Sequence, residues 1–219
     1  MKVENALAQE QLKGYREEVG GARTALNRLG MMEHEFDSLP KTGLLSPGAF
    51  ADARSNLVKN LSGVLTTAGG KPIAPEQMSA IESISKDTTR LGFELSKTLG
   101  TREAAQIVQQ SIGANPGINN TALGFKRLVS SLKAAQQYNI DRATFMDRYY
   151  QNNGTLNGSD AAFNESHPSS DYVKMGIAGS VDPKDIAGFK NAPAEQKSMW
   201  AAAIDKKYGK GVSSMIGGE

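Results

Sequence analysis

Two histidines, no cysteine and a scatter of carboxylates are the material for chemistry in this chain of 219 residues. The missing thiols exclude disulfide scaffolds, thiolate metal sites and cysteine nucleophiles together. The densest group of ligating residues is Glu33-His34-Glu35-Phe36-Asp37, one imidazole among three carboxylates. A hard cation would accept those donors. Adjacent helical residues point apart, however, and a shared face needs spacings of three or four. The other imidazole, His167, stands far along the chain in the breaker His167-Pro168-Ser169-Ser170. The run therefore reads as a solvated charged turn, and no metal is expected. Thr67-Ala68-Gly69-Gly70-Lys71-Pro72 sets glycine amides beside a lysine, as a phosphate loop would. That loop needs a first glycine where Leu65 stands and a magnesium-holding Ser or Thr where Pro72 stands. The segment reads as a helix C-cap turn, and no cofactor is expected.

Glycosidic cleavage by acid catalysis requires a carboxyl held at raised pKa in a substrate cleft. Glu82-Ser83 and Glu165-Ser166 carry the Glu-Ser pair found at the catalytic acid of lytic transglycosylases. The downstream Gly-Leu-Met-Gln element of those enzymes is absent, and Glu82 falls between the apolar positions Ile81 and Ile84. No Gly-x-Ser-x-Gly elbow is present. Lys126-Arg127 and Lys206-Lys207 are basic doublets interleaved with acids, and both read as solvated faces. Lys plus Arg total 25 against 23 for Asp plus Glu, so a net charge of +2 makes no electrostatic case for nucleic acid. No catalytic residue and no small-molecule substrate is expected; a peptidoglycan-cleaving accessory built on Glu82 is the enzymatic alternative.

The elements that must position these residues are helical. Only 6% of the chain is aromatic, with one Trp, which argues against large aromatic-rich sheets. Residues 1–39 form a helical arm. Leu12, Tyr15, Val19, Ala22, Leu26 and Leu29 alternate steps of three and four, and Phe36 follows one heptad later. That is the seam of a coiled coil, and it is the expected interaction stripe, toward the body or toward other subunits. Gly14, Gly20, Gly21 and Gly30 each cost about 1 kcal/mol against Ala in a helix interior, so neighbours must support the arm or it bends at Gly20-Gly21. Residues 40–150 form a multi-helix body. Ser46-Pro47 opens one helix, Ala74-Pro75-Glu76 another, and Thr101 can cap a third that carries Ile107, Val108 and Ile112. After the breaker Gly113-Ala114-Asn115-Pro116-Gly117, a run from Thr121 to Tyr150 carries Leu123, Leu128, Leu132, Ala135 and Tyr138, with a joint at Asn139-Ile140-Asp141.

Residues 151–219 read as a loop-rich tail with short helices. Asn153-Gly154 and Asn157-Gly158 are turn signals, and Ala194 to Lys207 is a helix carrying Met199, Trp200 and Ile204. With little apolar material of its own, this tail is expected to dock on a neighbouring surface. The fold class is all-α. The chain opens on Met1-Lys2-Val3-Glu4 without an apolar stretch, so no secretory signal is expected. Synthesis in a cytoplasm is expected.

The tail also carries a resemblance. Asp182-Pro183-Lys184-Asp185-Ile186, Ala192-Pro193-Ala194-Glu195 and Ile204-Asp205-Lys206-Lys207-Tyr208-Gly209-Lys210-Gly211 resemble the C-terminal ending of many phage and prophage proteins. There a helix ends in Asp-x-x-Tyr-Gly-x-Gly before a short apolar helix, which would here hold Met215-Ile216. Leu39-Pro40, Thr42-Gly43, Arg90-Leu91-Gly92-Phe93 and Tyr149-Tyr150 resemble the helical part of the same group. The resemblance covers residues 39–216. It implies a tailed-phage structural or internal virion protein of the DNA-ejection type, without enzyme activity, made in the host cytoplasm and incorporated in the virion. The partners it implies are further copies of the chain and virion proteins such as portal or tail components, with unspecific DNA contact. The alternative is a scaffolding or head-tail morphogenesis factor.

Overall fold

A computed structural model describes residues 2–38, 102–113 and 122–217 of the chain. Among them are eight helices and no strand, so the fold is all-α. In chain order the helices are α1 (Lys2–Ser38), α2 (Arg102–Gly113), α3 (Ala122–Asn153), α4 (Ser159–Ser166), α5 (Ser169–Ala178), α6 (Pro183–Asn191), α7 (Ala194–Tyr208) and α8 (Val212–Gly217). None of them is long and apolar enough to cross a membrane. The expected helices after Ser46 and Ala74, the Thr67–Pro72 turn and Glu82 lie outside the described residues.

At 1.5 Å per residue, the 37 residues of α1 extend about 55 Å. The helix continues through Gly14, Gly20, Gly21 and Gly30 without a break. Its support is α3, which lies along it. Arg16 pairs with Asp147, and Glu33 with Lys133, so partners run in opposite order and the two helices are antiparallel. Among the described side chains of α1, Ala8, Leu12, Ala22, Ala25 and Leu29 are buried. Small residues at most of these positions let the two backbones approach closely.

The expected joint at Asn139-Ile140-Asp141 does not form; α3 is one helix of 32 residues. Burial outweighs the local preference here. Tyr138, fully buried, meets Phe163 of α4 and Tyr172 of α5 edge-on at 5.3 and 5.1 Å, and Asp141 accepts the Tyr172 hydroxyl at 2.8 Å. The middle of α3 is thus gripped by two neighbours at the point where it was expected to bend. Helix α2 adds Ala104, Ala105, Ile107 and Val108 to the same core.

A second core occupies the C-terminal end. Ile177, Val181, Ile204, Tyr208, Val212 and Ile216 bury one another, with Phe189 and Trp200 at the margin. The tail was expected to dock on a neighbouring surface, and α5 packs on α2 and α3. Six residues drawn from four short segments also form a core of their own, each segment contributing one or two. Helix α5 belongs to both cores: Tyr172 faces the first, Ile177 the second.

Candidate functional site

The two cores meet at Arg127, in the first turns of α3. Its side chain is fully buried. Nε donates to Ser180 Oγ at 2.7 Å, one terminal nitrogen to the Tyr208 carbonyl at 2.8 Å, and the other points to the Ser111 carbonyl at 3.5 Å. Ser111 lies in the last turn of α2 and Tyr208 ends α7. Both carbonyls therefore belong to helix C-termini, which carry partial negative charge. Among the described residues, these two helix ends and the Ser180 hydroxyl are what the guanidinium faces. Burial lowers its pKa to about 10, which leaves it charged at neutral pH. The reading of Lys126-Arg127 as a solvated doublet is corrected for Arg127. A signal was present: Arg127, Ser131, Ala134 and Tyr138 follow steps of four, three and four, the row of α3 that faces α5.

Helix α5 comes unusually close to that row. A Cβ on Gly176 would stand 3.0 Å from Ser111 Oγ and from Ser131 Cα, so any larger residue would have to push the two helices apart by a few tenths of an ångström. Ser131 and Ser111 turn their hydroxyls back to their own helices, to the carbonyls of Arg127 and Ile107. The buried seam is polar in composition but internally satisfied.

The residues of the ending motif form one structure around Arg127. The Asp205 carboxylate accepts the amides of Gly211 at 3.0 Å and Ser213 at 2.8 Å, which caps α8. Burial pushes this carboxyl up, but the two amides outweigh burial and hold it below its usual value. Gly209 and Gly211 have φ of 116° and 85°, where a side chain would be strained. The Tyr208 hydroxyl donates to Asp185 at 2.5 Å and accepts the Asp182 amide at 3.1 Å. Lys207 and the Tyr208 hydroxyl both bond Asp185, which depresses its pKa. Asp182 caps α6, with Pro183 in the first helical turn. The chemistry of this motif is that of a clasp.

On α1 the expected interaction stripe is distributed unevenly. Leu12, Ala22 and Leu29 are buried, while Tyr15, Val19 and Leu26 are half-buried. The Phe36 side chain lies outside the described residues. Ala25 is fully buried where a strict heptad would place Leu26. Ala22, Ala25 and Leu29 share one face, so the buried face turns around α1 along its length. Polar contacts flank the stripe. Arg142 lies over the Tyr15 ring, 5.2 Å from its centre, and pairs with Asp160 of α4 at 2.8 Å.

The remaining candidates do not converge. Glu33 pairs with Lys133 while His34 is exposed, and among the described residues no three ligating side chains gather. Glu165 and Ser166 lie exposed at the end of α4, and the Ser166 hydroxyl donates to the Ala162 carbonyl. A groove of about 320 Å³ between α6, α7 and α8 is lined by Phe189, Lys197, Ser198 and Ala201, with no carboxylate on its wall. Comparisons with protein families, with curated proteins and with solved structures find no match to this chain.

Proposed function

We propose that this chain is a structural or internal virion protein of a tailed bacteriophage, of the DNA-ejection type, acting by assembly through its helices without catalysis. The observation that carries this reading is where its reactive groups are spent. Asp185 is tied to Lys207 and Tyr208, Asp205 caps α8, Asp141 takes the Tyr172 hydroxyl, and Asp147 and Asp160 hold arginines. Each joins one helical segment to another. A catalytic acid needs a carboxyl aimed at a substrate cleft, and these are aimed at neighbouring helices.

The ending that resembles phage proteins has a folding role here, since Asp205, Tyr208, Gly209 and Gly211 all take part in the clasp. That role supports a C-terminal unit shared with that group. The partners are further copies of the chain and portal or tail components, with DNA contact unspecific. The chain is made in the host bacterial cytoplasm and carried in the particle. Because the heptad side of α1 already faces α3, coiled-coil contact between copies falls to its outer side, where Leu7 and Met31 are exposed.

The test is to purify particles of the phage, identify their proteins by mass spectrometry, and repeat on particles emptied of DNA. An ejected protein is present in full particles and depleted from emptied ones. Presence in both replaces ejection with a fixed neck or tail position. Absence from both overturns the virion reading and moves the chain to scaffolding.

A further inference from the structure

Two Asn-Gly pairs frame the turn between α3 and α4, alike in sequence and unlike in their bonds. Asn153 closes α3; its carboxamide nitrogen donates to the Tyr149 carbonyl at 2.8 Å, and the Gly154 amide donates to the Tyr150 carbonyl at 2.8 Å. Asn157 is exposed, and neither its carboxamide nor the Gly158 amide has a hydrogen-bond partner among the described residues. The Ser159 amide donates to the Leu156 carbonyl at 3.1 Å, and Gly158 sits at φ 79°, ψ −3°. Among the described residues none other than glycine has positive φ, so Asn157 and Gly158 are the central pair of a type II turn.

We infer that Asn157 is a site of spontaneous covalent modification, deamidation through a succinimide, and that the Tyr149 hydroxyl restrains it. The Gly158 amide nitrogen gives its proton to solvent base and bonds to Asn157 Cγ. The Cγ–Nδ2 bond breaks, and ammonia leaves. Water then opens the ring at either carbonyl, leaving aspartate or isoaspartate. Glycine at the following position offers no Cβ to crowd the attacking nitrogen. At Asn153 both reacting groups are held in hydrogen bonds at a helix end, so nucleophile and carbon stay apart. At Asn157 the attack requires the Asn157–Gly158 peptide to rotate out of its turn. Two bonds oppose that rotation: the Tyr149 hydroxyl donates to the Asn157 carbonyl at 3.0 Å, and the Asn157 amide donates to Thr155 Oγ1 at 3.2 Å. The Tyr149 bond is the one on the peptide that must turn. The product places a new carboxylate in the turn leading to Asp160, the partner of Arg142.

The test ages the full chain at mildly alkaline pH and maps both asparagines by mass spectrometry. Trypsin leaves both on one fragment, residues 149–174, so handling is identical for the two. In the folded protein Asn157 converts severalfold faster than Asn153, and in denaturant the two rates come together. Tyr149→Phe raises the rate at Asn157 and leaves Asn153 unchanged. Conversion at Asn153 as fast as at Asn157 in the folded chain overturns the site assignment. An unchanged or slower rate at Asn157 in Tyr149→Phe overturns the restraint. The comparison within the unsubstituted protein decides the first point whatever the variant does.

Discussion

The N-terminal and C-terminal cores are both helical, but different forces define them. Around α1, α2 and α3 the buried residues recur at helical spacing and most are aliphatic or alanine, with Tyr138 and a few polar side chains such as Ser131 and Gln136 among them and the ion pairs at the margin. Exposed pairs such as Arg16–Asp147 contribute about 0–1 kcal/mol each, so apolar burial holds this half. Around α6, α7 and α8 the helices are short and bury few side chains each. Their arrangement is fixed by a buried cation on two helix ends, a carboxylate cap, a tyrosine bonded at both its hydroxyl and its carbonyl, and glycines at positive φ. Where a segment is too short to bury much surface, directed polar bonds and backbone constraint take over the task of selecting one arrangement.

Substitutions that strike one half's mechanism sharpen this contrast. Arg127→Leu leaves the Ser180 hydroxyl and the Tyr208 carbonyl without their buried donor, at a cost of about 3 kcal/mol in chemical denaturation. Arg127→Lys recovers part of it, because an ammonium keeps the charge but cannot fork. A cost below that of an ordinary surface change would erase the distinction between the halves. Gly188→Ala is next: its Cβ would come within 2.4 Å of the Trp200 ring, and overpacking of this kind costs about 1–3 kcal/mol. Trp200→Phe in the same chain should return part of that loss by shortening the ring.

Two changes in the N-terminal half should act in the opposite direction. Gln136 is fully buried on α3, and its carboxamide nitrogen and oxygen have no partner among the described residues. Gln136→Leu should therefore raise stability by about 1–2 kcal/mol, and a loss would reveal a polar contact at that face. Gly20→Ala enters open space on an exposed helix position and should add about 0.5–1 kcal/mol. The smallest effect is acid sensitivity. Asp185 has its pKa depressed in the folded chain, so its contribution is present at neutral pH and is lost as pH falls from about 4 through the lower folded value. Asp185→Asn should flatten that acid limb in a pH series of denaturation midpoints, leaving the neutral region less stable.

Legibility in the sequence follows the same division. The α1 stripe and the run through Leu128, Leu132, Ala135 and Tyr138 can be read because periodicity and burial coincide there. The exchange of Leu26 for Ala25 cannot, since it depends on the angle at which α1 crosses α3. Arg127 escapes when charge is judged beside Lys126 and becomes visible only when it is placed in the row of Ser131 and Tyr138. The second core offers only pairs at spacing four, Ile177 and Val181, Ile204 and Tyr208, Val212 and Ile216, runs too short to show how their segments meet. The Asp-x-x-Tyr-Gly-x-Gly ending is conspicuous as a string of residues, yet its role as a clasp depends on Arg127, eighty-one positions before Tyr208.

The central structural claim is that Arg127 joins a periodically packed core to one held by polar bonds. Amide hydrogen exchange resolved by segment, on the unsubstituted chain and on Arg127→Leu, tests it most directly. The account predicts that protection falls through α6, α7 and α8 and at the last turn of α2, while the middle of α3 and the facing part of α1 keep theirs. A uniform loss across both halves, or unchanged protection at α7 and α8, would contradict it.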